Sequence, residues 1–349
     1  MPAKCSLRKL ATICGYSTAT VSMALRGMGR VPTRTRHTIE KAAARLGYVR
    51  DPDTARVMSR IRQPSPNRTP ETLVFLSEVA LGTKPDRNSP WIRGMFQASR
   101  EEAHLLGYEL ELEVVDPSAA SQKSISRILA ARGIRGLLVG PITLWNPARL
   151  NFDWDRFAAV EMGTSLNWPN LHRFARESYD DLLDLYAQLK DRGYRRIGFA
   201  LSPLRLEFMH HTPESTFLLF RQWHPEMKLV KPMASFGEWN AQGLRRWLRD
   251  ERPDVVLIYE PDVHDWLRRA KVRIPRDLSV VYLNSNGRDQ SGLIPDTTLM
   301  AKEAVGKLVR MVEGGEWGVP RRRCLHAFRN LFHAGRTIRP LPRAQSAVV

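Results

Sequence analysis

The residues able to do chemistry are spread unevenly along these 349 residues. Within residues 1–62, thirteen lysines and arginines stand against three acids (Glu40, Asp51 and Asp53), a local excess of ten out of the chain's formal +18. So dense a positive segment favours a polyanionic partner. Catalytic signatures are absent by contrast: there is no Gly-x-Ser-x-Gly elbow, no Walker loop and no dinucleotide glycine fingerprint. His210, His211 and His224 lack the His-x-x-x-His spacing that sets two imidazoles on one helix face, and no cysteine lies near them, so they read as solvated or core histidines. Glu260 and Asp262 imitate a carboxylate pair, but a ligand hydrogen bond or plain solvation suits them better. The cysteines (Cys5, Cys14 and Cys324) form no Cys-x-x-Cys pair and are too few for a disulfide framework, which fits a reducing cytoplasm. Neither a long apolar span nor a secretory leader is visible, so no membrane association is expected.

The basic segment carries helical spacing. Leu7, Leu10, Ala11 and Cys14 make one apolar stripe, with Ser6 as N-cap and Gly15 as the stop. Ser17 caps a second helix in which Val21, Ala24 and Leu25 face inward, while Thr18, Ala19, Ser22 and Met23 form an uncharged outer face. A third helix follows Val31, with Ile39, Ala42, Ala43 and Leu46 inward. Two helices joined by a glycine turn and braced by a third make a helix-turn-helix. The proline-rich stretch from Gln63 to Pro70 then reads as a linker.

The run from Leu7 to Leu25, with Val31-Pro-Thr-Arg-Thr-Arg36, Ile39, Ala42 and Leu46-Gly-Tyr48, resembles the helix-turn-helix of the lactose-repressor (LacI/GalR) family over about sixty residues. The resemblance implies a recognition helix in the major groove, with Thr18, Ala19 and Met23 toward base edges. Ser6, Leu7, Ser17, Thr20, Ser22, Arg26, Arg30, Thr33 and Arg34 complete the implied DNA-contacting set. With Thr and Ala where the family often has longer polar residues, recognition should lean on apolar contact and DNA shape. The resemblance also implies a hinge helix after Tyr48 whose apolar wedge enters the minor groove. By position the wedge is Val57, with Met58 beside it and Ala55 on the neighbouring turn. Pro52 nearby leaves a flexible basic linker as the other reading of this stretch.

From Thr72 onward, apolar runs (73–79, 108–115, 136–141, 158–162, 196–201, 254–259 and 278–283) alternate with amphipathic stretches (91–106, 118–132, 179–192, 239–250 and 263–270), the pattern of parallel α/β sheets. Here the resemblance is weaker and rests on Ser89-Pro-Trp91, Ile134 to Gly140, Arg192 to Gly198, 255–267 and Arg273 to Asp277. It implies a fold of two parts: a small all-α helix-turn-helix domain, then an α/β periplasmic-binding-protein-like core of two Rossmann-like lobes joined by three crossovers. The expected division is 1–50 for the DNA-binding domain, 51–70 for hinge helix and linker, and 71–340 for an effector and dimerisation core. Within the core, lobe one takes about 71–163 and 289–320, and lobe two about 164–288 and 321–340.

Ligands of such sheets sit beyond the carboxyl ends of the strands, which makes Trp91, Arg93, Arg205, Asp262 and Asn284 the candidate effector-binding groups. Two family features are missing. The helix after 195–201 reads His211-Thr-Pro-Glu-Ser-Thr-Phe217, without the arginine of many sugar-binding members, and Asn284 stands where an aspartate is common. Asparagine gives up the charge-assisted bonds of a carboxylate. The expected function is that of a cytoplasmic, nucleoid-associated bacterial transcription regulator of repressor type. It should bind a pseudo-palindromic double-stranded operator as a homodimer, answer to a small-molecule effector (perhaps a sugar), and use no metal or other cofactor. The alternatives are a core that has lost its effector and serves as a dimerisation scaffold, and a DNA-tethered enzyme, for which no catalytic group presents itself. The core's share of the charge, +8, is expected to aid sliding on DNA or to attract an anionic effector.

Overall fold

The computed structural model describes residues 7–25, 31–46, 71–81, 89–143 and 147–340. Contacts divide the chain into two compact units, Met1–Thr69 and Pro70–Val349. In the first unit, α1 (Leu7–Cys14), α2 (Thr18–Leu25) and α3 (Thr33–Arg45) enclose a small core. Leu10, Val21, Ala24 and Ile39 are fully buried there, and Cys14, Leu25, Ala42 and Leu46 pack around them. The turn between α1 and α2 is made at Gly15, whose φ of 68° is a conformation that side-chain-bearing residues resist.

The second unit is built on two parallel sheets. The first holds β1 (Glu71–Ser77), β2 (Tyr108–Val114), β3 (Gly136–Val139), β4 (Ala158–Met162), β5 (His172–Arg176) and β10 (Leu325–Phe328), in the order β10-β5-β4-β3-β1-β2. On one face, α4 (Ser89–Leu105) and α11 (Thr297–Gly314) bury Ile92, Met95, Met300, Val305 and Leu308 against the sheet. On the other, α5 (Ala119–Ala131) and the segment 148–157 contribute Leu129, Leu150, Trp154 and Phe157.

The second sheet holds β6 (Ile197–Ala200), β7 (Val255–Ile258), β8 (Ser279–Tyr282), β9 (Gly292–Ile294) and β11 (Leu331–His333), in the order β11-β9-β8-β7-β6, with β11 antiparallel. One face is covered by α6 (Tyr179–Asp191), α7 (Pro203–Phe208) and α8 (Thr212–Trp223) through Leu185, Tyr186, Leu206 and Phe217. The other is covered by α9 (Ala241–Glu251) and α10 (Pro261–Arg269) through Leu244, Trp247, Val263 and Leu267. A small all-α domain ahead of two Rossmann-like lobes is the architecture expected. Among the described residues no helix is long and apolar enough to cross a membrane.

The lobe boundaries differ from those expected. The chain crosses between lobes near 177, 295 and 329, because β5 (172–176) and β10 (325–328) complete the first sheet and β9 (292–294) belongs to the second. Residues 164–176 and 321–328 therefore leave lobe two, and 289–294 leave lobe one. The cause is visible in β5, whose sequence His-Arg-Phe-Ala-Arg reads as polar although its first four residues are buried. Arg173 is neutralised in place: its Nε donates to Glu161 Oε2 on β4 at 2.7 Å, its Nη2 to the Leu166 carbonyl, and Glu161 Oε1 accepts from Leu166 N at 2.8 Å. Burial pushes the Glu161 carboxyl up to about 7, against the pull of Arg173 and the Leu166 amide.

Burial outweighing attraction is the condition under which an apolar pair replaces an ion pair at little cost, whereas removing one partner is expensive. Arg173→Met should therefore destabilise the core by about 3–5 kcal/mol, and Glu161→Leu with Arg173→Met should recover most of that loss in denaturant unfolding. An equal loss in the single and double variants would refute the pairing. The raised value also favours the protonated carboxyl in the folded chain. Its stabilisation is complete below the ordinary value of 4.5 and is lost as the pH climbs through about 7. The melting temperature should thus fall between pH 5 and pH 8, and less so in Glu161→Gln.

Candidate nucleic-acid interface and ligand cleft

The outer surface of the first unit is set by how α2 begins. Ser17 Oγ accepts from Thr20 N at 3.0 Å and lies 2.8 Å from the Thr20 hydroxyl, so both side chains are engaged in starting the helix. Thr18 is exposed beside them, with nothing charged on its helix. Met23 is half-buried and packs against the domain core, so part of the side chain expected at base edges is committed inward. Thr33 and Arg34 are exposed in the first turn of α3. Neither α2 nor α3 has an acid in its first turn, so no side chain opposes a phosphate approaching those positive helix ends. Ser6, Arg26, Arg30, Ala55, Val57 and Met58 lie outside the described residues, as do the side chains of Leu7, Ala19 and Ser22.

In the second unit a cleft of about 250 Å³ opens between the lobes, beyond the carboxyl ends of the strands. Its lining combines Trp91 of α4, Thr143 after β3, Thr164 and Ser165 after β4, and Arg176 to Ser178 at the end of β5. From the other lobe come Arg205, Phe208 and Met209, then His210, Tyr259 after β7, and Leu283 after β8. Of the expected effector residues, Trp91 and Arg205 are in this wall; Arg93, Asp262 and Asn284 are not. Pro261 has already started α10, so Asp262 is carried into its first turn, and Asn284 is one step past the lining residue Leu283.

Two arginines dominate the cleft. Arg205 stacks at 4.0 Å on the Tyr259 ring, and its Nε stands 3.5 Å from Glu260 Oε1, which also accepts from the Ser202 hydroxyl at 2.8 Å. Arg176 donates from Nε to Asn330 Oδ1 at 2.8 Å and from Nη2 to the Leu283 carbonyl. Burial lowers its pKa, the nearby Arg205 charge pushes the same way, and Tyr259 and Asp181 oppose both. Asn330 Nδ2 donates to the Glu177 carbonyl at 3.0 Å and its backbone N to Asp181 Oδ2 at 2.9 Å, while Arg329 Nε donates to Asp181 Oδ1 at 2.6 Å. Arg176 and Asn330 escaped sequence reasoning because each sits in a short strand or crossover without apolar periodicity. An arginine closing a strand of otherwise buried residues was the available signal. Among the described residues no group of three or more His, Cys, Asp or Glu is placed to hold a metal ion.

Residues 6–51 match the family described as bacterial regulatory proteins, lacI family. The HTH-type transcriptional repressor CytR of Escherichia coli K12 is 22% identical over 338 residues, covering 90% of this chain and 91% of the relative. The fold resembles that of a transcriptional regulator CelR–cellobiose complex (TM-score 0.57, 18% identity, covering 95% of this chain and 99% of that one). It also resembles the lac repressor dimer bound to operator and the anti-inducer ONPF (TM-score 0.55, 15% identity, 96% and 99% covered).

The two ends of the hydroxyl cluster on α2 should separate by measurement. Ser17→Ala removes the cap and should cost the first unit about 1 kcal/mol, whereas Thr18→Ala, at an exposed site, should stay within about 0.5 kcal/mol. Thermal unfolding of the two variants checks this, and equal losses would contradict the capping role.

Proposed function

We propose that this chain, whose N-terminal domain is a lacI-family helix-turn-helix, is a sequence-specific transcriptional repressor that binds a pseudo-palindromic operator as a homodimer in the bacterial cytoplasm. Residues 1–50 read the DNA, residues 51–70 form the hinge helix and linker, and residues 71–340 form the effector and dimerisation core. The observation that carries this reading is an uncharged α2 with Thr18 exposed at its start, set within a unit rich in cations and matched to the lacI family over 6–51. Such a helix fits the major groove, where Thr18 and Ala19 meet base edges while Arg34 and its basic neighbours hold phosphates. Two identical readers related by two-fold symmetry fit a two-fold DNA site. The names of the relatives point the same way, toward a repressor and toward operator-bound and sugar-bound regulators.

The core acts by binding rather than catalysis. A small molecule seated between the lobes changes their closure, closure alters how the paired hinge segments meet the DNA, and operator affinity changes in turn. The cleft favours this over a core serving as scaffold alone, because its wall holds polar groups not consumed by packing.

Binding-site selection from random duplexes with the full chain should return a pseudo-palindrome. Thr18→Ala should relax preference at one base pair per half-site by about 1–3 kcal/mol. An unchanged consensus would remove Thr18 from base reading, and recovery of no consensus at all would overturn the repressor reading.

A further inference from the structure

Among the described residues, the buried side-chain atoms of the cleft wall left without a hydrogen-bond partner are donors. The Arg205 side chain is 14% exposed; its Nε lacks a hydrogen-bond acceptor among the described residues, and the guanidinium has the Tyr259 face and one 3.5 Å ion-pair approach to Glu260. Trp91 Nε1 is buried and likewise without an acceptor among the described residues. Arg176 is bonded to a side-chain amide and a backbone carbonyl, both neutral.

The two acids at the start of α6 are already occupied. Glu177 Oε1 accepts from Tyr179 N and Oε2 from Asp181 N at the start of α6, while Asp181 accepts from Arg329 and Asn330. Glu260 Oε2 is a buried acceptor without a partner, but Glu260 does not line the cleft.

We infer that the cleft takes a small oxyanion, a carboxylate or a phosphate monoester on a compact ring-sized body, held by Arg205 and Arg176 with its ring against Trp91. This rests on the effector-binding reading above. Two guanidinium groups in one partly desolvated cleft repel each other, and an anion between them replaces that repulsion with charge-assisted bonds. A planar fork stacked on an aromatic ring is already oriented, so little rotamer freedom is lost when it grips two oxygens. The body is limited by the cleft's 250 Å³, below the usual range for drug-sized ligands of about 300–1,000 Å³. Phe208, Met209, Leu283 and Met300 supply apolar surface for its uncharged face.

The test uses the full chain and matched probes: glucose, glucuronate and glucose 6-phosphate, together with benzyl alcohol and benzoate. Calorimetric titration should show at least one acid binding tenfold or more tightly than its neutral counterpart. Preference for glucuronate or benzoate assigns a carboxylate, and preference for glucose 6-phosphate assigns a phosphate. Arg205→Gln should remove the discrimination, and Arg205→Lys should keep part of it. Melting of each variant without ligand shows that it is folded. Neutral probes binding as tightly as the acids would overturn the inference, as would a chain that binds none of the acids. Operator binding by the same preparations separates the two levels. If the operator is bound while acids are not preferred, the ligand class falls and the DNA-binding reading stands.

Discussion

One guanidinium bonds across the two lobes of the core beside the cleft. Arg176 ends a strand of the first lobe, reaches the carbonyl that ends β8 in the second, and bonds Asn330 in the third crossover. Asn330 in turn holds the first crossover through the Glu177 carbonyl, and Asp181 ties both to α6. The two lobes are therefore linked through polar side chains whose acceptors are the Leu283 and Glu177 carbonyls, the Asn330 side-chain amide oxygen and the Asp181 carboxylate. Because Arg176 also lines the cleft, whatever occupies that cleft draws on the same donors that set the angle between the lobes.

The sequence was legible where structure is local. Among the described residues of the first unit the three helices could be read directly, because their apolar stripes, the glycine turn and the Ser17 cap are all set by neighbours within a few positions. Leu10, Val21 and Ile39 are buried as their spacing requires. Seven strands of the core were equally plain: β1, β3 and β7 are largely continuous apolar runs, as parallel strands covered on both faces are, and the edge strand β2 alternates Glu with apolar residues. β5 was not, because the burial of Arg173 depends on Glu161, twelve positions earlier and on another strand. β9, β10 and β11 are three or four residues each and sit at lobe edges or crossovers, too short to show a period. The same distance effect hid half of the cleft. Trp91 and Arg205 follow strand ends in sequence, but Arg176 and Asn330, 154 positions apart, meet only when the chain between them is folded.

The positive excess of the core has a structural share that composition could not reveal. Several core arginines end on backbone carbonyls rather than on acids. Arg195 donates to the Lys190 and Tyr194 carbonyls at 2.8 Å, and Arg192 to the Gln188 carbonyl at 3.0 Å. Arg196 donates to the Arg252 and Glu251 carbonyls, and Arg221 to that of Met227 at 3.1 Å. The Gln188, Lys190 and Glu251 carbonyls lie in the last turns of α6 and α9, where the negative pole of the helix dipole favours a cation. Each arginine used in this way adds a charge without requiring a carboxylate to answer it.

That distinction sharpens what the charge of each unit means for regulation. In the first unit Lys9, Arg34, Lys41 and Arg45 are exposed, and charges so placed are screened by salt and would set how strongly any duplex is held. In the core several are absorbed by carbonyls, and of the two that face the cleft Arg176 also bonds the Leu283 carbonyl while Arg205 has the Tyr259 ring and Glu260 beside it. If closure of the lobes alters operator affinity, linkage requires that the operator alter ligand affinity by the same factor. The ligand can shift that balance only by its difference in affinity for the open and closed lobes. Arg205 belongs to one lobe, while Arg176 ends a strand of the other. An anion reached by both is bound more tightly when the lobes approach. The energetic difference regulation needs is thus placed in the pair of guanidinium groups that the fold holds on opposite sides of one cleft.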